Sequence, residues 1–143
     1  MHTVQQILKL KTISEIWSIA PDATVYEAIQ TLADKRIGAL LVMDGNRLCG
    51  IMSERDYARE VILKGRASKQ TLVSEIMTDE VITISSGSGV EESLAIMTKN
   101  RIRHLPVVDD GQIVGIISMG DLVNDIINEQ KDTIAQLENY IRG

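Results

Sequence analysis

Residues 25–57 read VYEAIQTLADKRIGALLVMDGNRLCGIMSERDY, and residues 90–122 read VEESLAIMTKNRIRHLPVVDDGQIVGIISMGDL. The second stretch starts 65 positions after the first (90 − 25), aligns with it without a gap and repeats it at 11 of 33 positions. The identities include Arg36/Arg101, Leu40/Leu105, Asp44/Asp109, Gly50/Gly115, Ser53/Ser118 and Asp56/Asp121; pairs such as Ile29/Leu94, Leu32/Met97 and Leu48/Ile113 keep their polarity. A repeat of this length is a whole supersecondary block rather than a solenoid turn. Two like blocks related by a pseudo-two-fold axis are expected to leave a groove between them, and that groove is the expected seat of function.

A single block of about 60 residues would be marginal alone, whereas the full 143 residues can bury roughly two-thirds of their unfolded surface. The repeats are therefore expected to share one core. The chain contains no Phe and one Trp, so that core must be aliphatic and rich in Met. Hydrophobic residues make up 44% and charged residues 24%, which is ordinary for a soluble globular protein. A net charge of −5 argues against general nucleic-acid binding, which needs a basic surface to neutralise phosphates. One cysteine excludes an intrachain disulfide. Residues 1–10 lack the continuous apolar core of a secretory signal, and residues 37–43 are too few to cross a bilayer, so a cytoplasmic location is expected.

The order of elements follows from periodicity. Thr24 and Glu27 have capping-box spacing, and Val25, Ala28, Ile29 and Leu32 recur on one helical face. Two apolar runs, 39–43 and 48–52, flank Asp44-Gly45-Asn46 and read as a hairpin. A helix is expected from near Ser53 to Leu63, ending near Gly65, and residues 65–70 read as a polar linker. The second repeat gives a strand at 81–84, a helix at 90–100 with Gly89 in place of the capping Thr24, strands at 105–108 and 113–117, and a long final helix. The fold class is α/β (α+β): tandem β-α-β-β-α blocks with small sheets. The first is expected over 10–65 and the second over 72–126, with a C-terminal helix over 127–143.

The segments Gly50-Ile-Met-Ser53-Glu-Arg-Asp56 and Gly115-Ile-Ile-Ser118-Met-Gly-Asp121 each end a strand and open a helix. Such a junction presents unpaired N–H groups and the positive end of a helix dipole, which suit a phosphate. The serine can donate to a phosphate oxygen, and the aspartate can accept from ribose hydroxyls as acidic residues do in dinucleotide folds. Ser-x-x-Asp is also a near capping box that needs no ligand, and both readings fit the residues. Arg101, Arg103 and His104 gather basic groups before the strand at Leu105, able to grip a phosphate or to complement a helix C-terminus. Arg55 sits in a basic run with Arg59, Lys64, Arg66 and Lys69 that reads as a solvated face, although Arg55 can point into the groove. Cys49 reads as a small buried hydrophobe, and His2 as part of a frayed terminus. Neither a Walker loop, a GxGxxG sequence nor a Cys/His metal spacing occurs, and no serine or cysteine has an obvious base nearby. Catalysis is not expected. On the last helix, Ile127, Ile134, Leu137 and Ile141 form a near-heptad stripe that can face a second copy or fold back on its own body.

The whole pattern resembles the cystathionine-β-synthase (CBS) domain, present as a tandem pair of the small stand-alone bacterial type. The resemblance runs from about Ser14 to Leu122. It rests on Ser74-Glu-Ile-Met77, on Arg101-Ile-Arg-His-Leu-Pro-Val-Val-Asp109, and on the paired glycine-to-aspartate segments, which look like the family's Gly-φ-φ-(Ser/Thr)-x-x-Asp nucleotide motif with φ apolar. It implies a regulatory sensor of an adenosyl ligand (AMP, ADP, ATP, NAD or S-adenosylmethionine, with AMP or NAD foremost) that assembles as a homodimer and regulates a partner protein. By that resemblance Asp56 and Asp121 would hold ribose, and Ser53 and Ser118 would approach phosphate. Arg103 and His104 would meet phosphates, while Thr24, Thr83 and Ser85 would line the adenine pocket. Gly38, Ala39, Arg55, Pro106 and Gly120 complete the implied set. Leu41 stands where the family has proline, and Gly38 and Ala39 stand where the second repeat has Arg103 and His104, so one tighter site is expected.

Overall fold

A computed structural model describes residues 2–11 and 16–142. Ser14, where the family resemblance begins, lies outside the described residues. In chain order the elements are α1 (Val4–Leu10), β1 (Ser18–Ile19), α2 (Val25–Lys35), β2 (Ala39–Asp44), β3 (Arg47–Ser53) and α3 (Glu54–Tyr57). A π turn over Ala58–Ile62 and a 3₁₀ turn over Ser68–Gln70 follow. The remainder comprises α4 (Val73–Ile76), α5 (Val90–Asn100), β4 (His104–Asp109), β5 (Gln112–Ser118) and α6 (Met119–Arg142). The chain divides into two compact units, residues 16–81 and residues 1–15 together with 82–143.

The repeat recurs in backbone detail. β2 and β3 pair antiparallel with a bulge between Val42 and Met43; β4 and β5 do so with a bulge between Val107 and Val108, 65 positions on in each case. Helices α2 and α5 both stop on an arginine in the left-handed region, Arg36 at φ 55° and Arg101 at φ 54°. Both hairpins turn through a first loop residue with positive φ, Gly45 at 62° and Asp110 at 49°. Thr24 caps α2 by accepting from Glu27 N at 3.2 Å, and Gly89 is the N-cap of α5.

Three expectations change. The strand expected at 81–84 is a single parallel bridge, Ile84 to Val107, where the first repeat has the two-residue β1 beside β2. Residues 65–70 are not a linker: they lie inside the first unit, where Arg66 N donates to Val61 O and Thr71 Oγ1 donates to Ala67 O. The third change concerns His2, which is fastened rather than frayed: its ring Nδ1 is 2.5 Å from Asp125 Oδ1, and its carbonyl accepts from Val90 N.

The segment before each repeat supplies the reason. Residues 2–8 pack with the second repeat, and residues 71–77 pack with the first, in matching geometry. Val25 N donates to Thr71 O as Val90 N donates to His2 O; Val73 N donates to Ala23 O as Val4 N donates to Ser88 O; Ser74 N donates to Pro21 O as Gln5 N donates to Ser86 O. Here the spacing is 69 (73 − 4), four more than in the repeat itself. Consequently Ser74-Glu-Ile-Met77, which precedes the second repeat in sequence, belongs to the first unit. Each segment covers a strand glycine more closely than a Cβ ordinarily stands to its neighbours. A Cβ on Gly115 would lie 2.6 Å from Leu8 Cδ2, and one on Gly50 would lie 2.7 Å from Met77 Sδ and 2.8 Å from Thr78 O.

The buried hydrophobics of the described residues group into two clusters, one within each unit. The first gathers Val25, Ala28, Leu32, Leu40, Val42, Met52, Val61, Val73 and Ile76. The second gathers Val4, Ile7, Ile84, Val90, Met97, Leu105, Val107, Ile117 and Leu122. Both are aliphatic with methionine, as the absence of Phe requires. Beyond Ile126, α6 leaves its apolar stripe in solvent: Ile127 is 44% exposed, Ile134 56%, Leu137 57% and Ile141 82%. Among the described residues, no helix is long and apolar enough to cross a membrane.

Candidate functional site

Each glycine-to-aspartate segment runs up the second strand of its hairpin and turns into a helix. Antiparallel pairing sets Ala39 opposite Ser53 in the first unit and His104 opposite Ser118 in the second. The helix then starts against the preceding strand: Glu54 N donates to Gly38 O at 3.0 Å, and Met119 N donates to Arg103 O at 2.8 Å. The residues just before the first hairpin strand and just after the second are thereby brought side by side at one end of each small sheet.

At both mouths the aspartate reaches back as a cap. Asp56 Oδ2 accepts from Ser53 N at 2.9 Å and from Ser53 Oγ at 3.1 Å, while Asp56 N donates to Ser53 Oγ at 3.2 Å. Asp121 Oδ2 accepts from Ser118 N at 2.9 Å, and Asp121 N donates to Ser118 Oγ at 3.1 Å. The capping reading of Ser-x-x-Asp is therefore realised twice. It occupies only part of each carboxylate: among the described residues, every hydrogen bond and ion pair of the Asp56 and Asp121 carboxylates falls on Oδ2. Oδ1 of each carboxylate carries none of these bonds.

The mouths differ in charge and in the helix behind them. Lys11 Nζ lies 3.0 Å from Asp121 Oδ2 and donates to Ile116 O at 2.9 Å. Lys11 follows α1 and lies more than a hundred positions from Asp121, so its role had no signal in the local sequence. Behind Asp121 runs α6 with 24 residues, whereas α3 behind Asp56 has four before the π turn. The positive dipole end is correspondingly stronger at the second mouth. Arg103 is exposed and His104 half-buried at that mouth, against Gly38, half-buried, and Ala39, buried, at the first.

The remaining candidates fall as follows. Arg55 is exposed on α3 and Gly120 exposed in the first turn of α6. Pro106 is buried in β4, with its carbonyl accepting from Ile84 N. Thr83 and Ser85 are exposed on either side of the Ile84 bridge, and Ser85 Oγ is 3.4 Å from Ser88 Oγ. Cys49 is half-buried, its thiol 3.7 Å from Arg47 O. The Ser86 hydroxyl and backbone N–H hold the carboxyl of Asp109, at the end of β4, below the usual carboxylate range, with Ser86 N 3.0 Å from Asp109 Oδ1.

The family model of the CBS domain matches this chain twice, over residues 6–63 and 73–128. The chain belongs to the CBS-domain family. A protein with CBS domains from Burkholderia ambifaria MC40-6 is 49% identical with a TM-score of 0.87; the match covers 90% of this chain and 96% of that one. The CBS-domain protein ATU1752 from Agrobacterium tumefaciens is 37% identical with a TM-score of 0.82, covering 87% of this chain and 98% of its own. Among curated proteins, the mitochondrial CBS-domain protein CBSX3 of Arabidopsis thaliana is 37% identical over 99% of this chain and 72% of its own length. YhcV of Bacillus subtilis is 33% identical over 81% and 83% respectively. An inosine-5′-monophosphate dehydrogenase from Nitrosopumilus maritimus also matches at 34%, but this chain spans only 27% of that enzyme. CBS domains are generally regulatory modules, and the stand-alone relatives fit that role.

Proposed function

We propose that this CBS-domain protein is a non-catalytic sensor that binds an adenosyl ligand (AMP, ADP, ATP, NAD or S-adenosylmethionine, with AMP or NAD foremost) at its Ser-x-x-Asp helix mouths. What supports the reading is that, among the described residues, each capping aspartate bonds through Oδ2 and not Oδ1, at a helix N-terminus whose dipole favours phosphate. Asp121 and Asp56 would accept from ribose hydroxyls, and Ser118 and Ser53 would lie toward phosphate. Thr24, Thr83 and Ser85 would line the base. The second mouth would bind more tightly, since Arg103, His104, Lys11 and the longer helix all favour an anion there. Ligand binding would then bias one arrangement of the protein and be read by a partner. The proposed compartment is the cytoplasm.

Thermal unfolding with each of the five ligands tests this. A binder should stabilise the protein by about 2.7 kcal/mol at a hundredfold excess over Kd, and more at higher excess. A melting curve that none of the five moves would remove the sensing role. It would leave a structural adaptor whose two motifs only cap helices, a reading that the doubled capping geometry also supports.

Assembly as a homodimer through α6 is part of the same proposal, because its apolar stripe faces solvent. Light scattering over a concentration series should show a dimer that Ile134→Glu splits. A wild-type chain monomeric at the highest concentration would end that part.

A further inference from the structure

We propose that His2, Asp125 and Glu129 form a site for a divalent first-row transition cation of the zinc type, separate from the adenosyl-binding reading and independent of it. One ligand atom from each lies within 4.8 Å of the other two. Asp125 and Glu129 stand four residues apart on α6, so their carboxylates share one face of the helix. His2 arrives from the opposite end of the chain, held by its carbonyl on Val90 N and by the Thr3–Gly89 bridge.

The second observation is the state of Asp125. Its side chain is 7% exposed; Oδ1 is 2.5 Å from His2 Nδ1, while Oδ2 is buried with no hydrogen-bond partner among the described residues. Buried carboxylate oxygens are ordinarily paired, and an unpaired one in a native structure calls for a missing partner. A cation would supply it. Edges of a tetrahedral zinc site are about 3.4 Å for ligand bonds near 2.1 Å, so closing on a metal would move His2 Nδ1 and Asp125 Oδ1 apart from 2.5 Å. One imidazole and two carboxylates suit zinc and its neighbours; calcium and magnesium prefer all-oxygen shells, and copper(I) prefers sulfur. Water would complete the shell. The consequence is structural: the metal would rivet the start of the chain to α6 and hold α1 over Gly115.

Protein without a polyhistidine tag and carrying Cys49→Ser, to remove the thiol, is stripped with chelator and dialysed against micromolar zinc. One zinc per chain is expected, with an upward shift in melting temperature that magnesium at the same concentration does not produce. His2→Gln and Glu129→Gln, both at half-buried positions, should each weaken zinc binding about tenfold or more and reduce the zinc-dependent shift. Asp125→Asn should do the same if it folds. Absence of bound zinc, an equal response to magnesium, or undiminished binding in both the His2 and Glu129 variants would overturn the assignment and leave a His–Asp tether only.

Discussion

Replacing Asp121 by Ala and by Asn separates its two roles, because the substitutions keep different parts of its bonding. Alanine removes the acceptor for Ser118 N and the partner of Lys11 Nζ. Losing a cap of this kind costs about 1 kcal/mol. The ion pair joins side chains 22% and 24% exposed, so screening limits it to about 0–1 kcal/mol. The sum is about 1–2 kcal/mol. Asparagine keeps an oxygen for Ser118 N and gives up only the charge, so its cost should stay below about 1 kcal/mol. Ligand binding should treat the two alike. Hydrogen bonds to a charged acceptor are worth about 1.5–3 kcal/mol, so both variants should lose about tenfold or more in adenosyl affinity. Urea denaturation gives the first pair of numbers, and isothermal titration with the ligand that shifts the melting curve gives the second. If Asp121→Asn binds that ligand as tightly as wild type while Asp121→Ala is merely less stable, the carboxylate is a cap and nothing else.

Gly50→Ala should destabilise more than Gly115→Ala. The first drives a methyl into the Thr78 carbonyl, which is fixed by its bridge to Ile51, whereas the second meets the movable end of Leu8. Costs of about 3 and about 1 kcal/mol are expected from overpacking, measured by urea denaturation; the reverse order would refute the covering role of these segments. Arg36→Gly should raise stability by up to about 1 kcal/mol, since Arg36 holds a left-handed φ of 55° that glycine adopts without steric penalty. A fall in stability would mean that its side chain matters more than its backbone. Asp109 has a depressed carboxyl, so the stability it confers is present above its unfolded value and is lost as pH falls through its lower folded value. Asp109→Asn should flatten that acid limb of the stability–pH curve, and an unchanged limb would refute the Ser86 contact as its cause.

The local and periodic features were legible in the sequence. Hydrophobic spacing placed α2 and α5, the Asp-Gly pairs placed both hairpin turns, and the gapless offset has its structural counterpart in bulges and left-handed arginines at equivalent positions. The Ser-x-x-Asp spacing gave the capping boxes, because a cap depends only on residues three apart. Among the described residues, the segment 81–84 makes only the Ile84 bridge, since apolar alternation signals a strand without saying how many partners it will find.

What only the tertiary structure decided involves partners distant in sequence. Residues 2–8 and 71–77 each pack with the repeat they do not precede most directly, so Ser74–Met77 serves the first unit and the apparent linker lies inside it. Lys11 beside Asp121, and His2 beside Asp125 across 123 positions, follow from that exchange. The physical reason is that periodicity records which face of an element is apolar, but not which surface covers it. Gly50 and Gly115 were visible as repeated glycines, yet the side chains that demand their bareness became evident only once the chain had folded onto them.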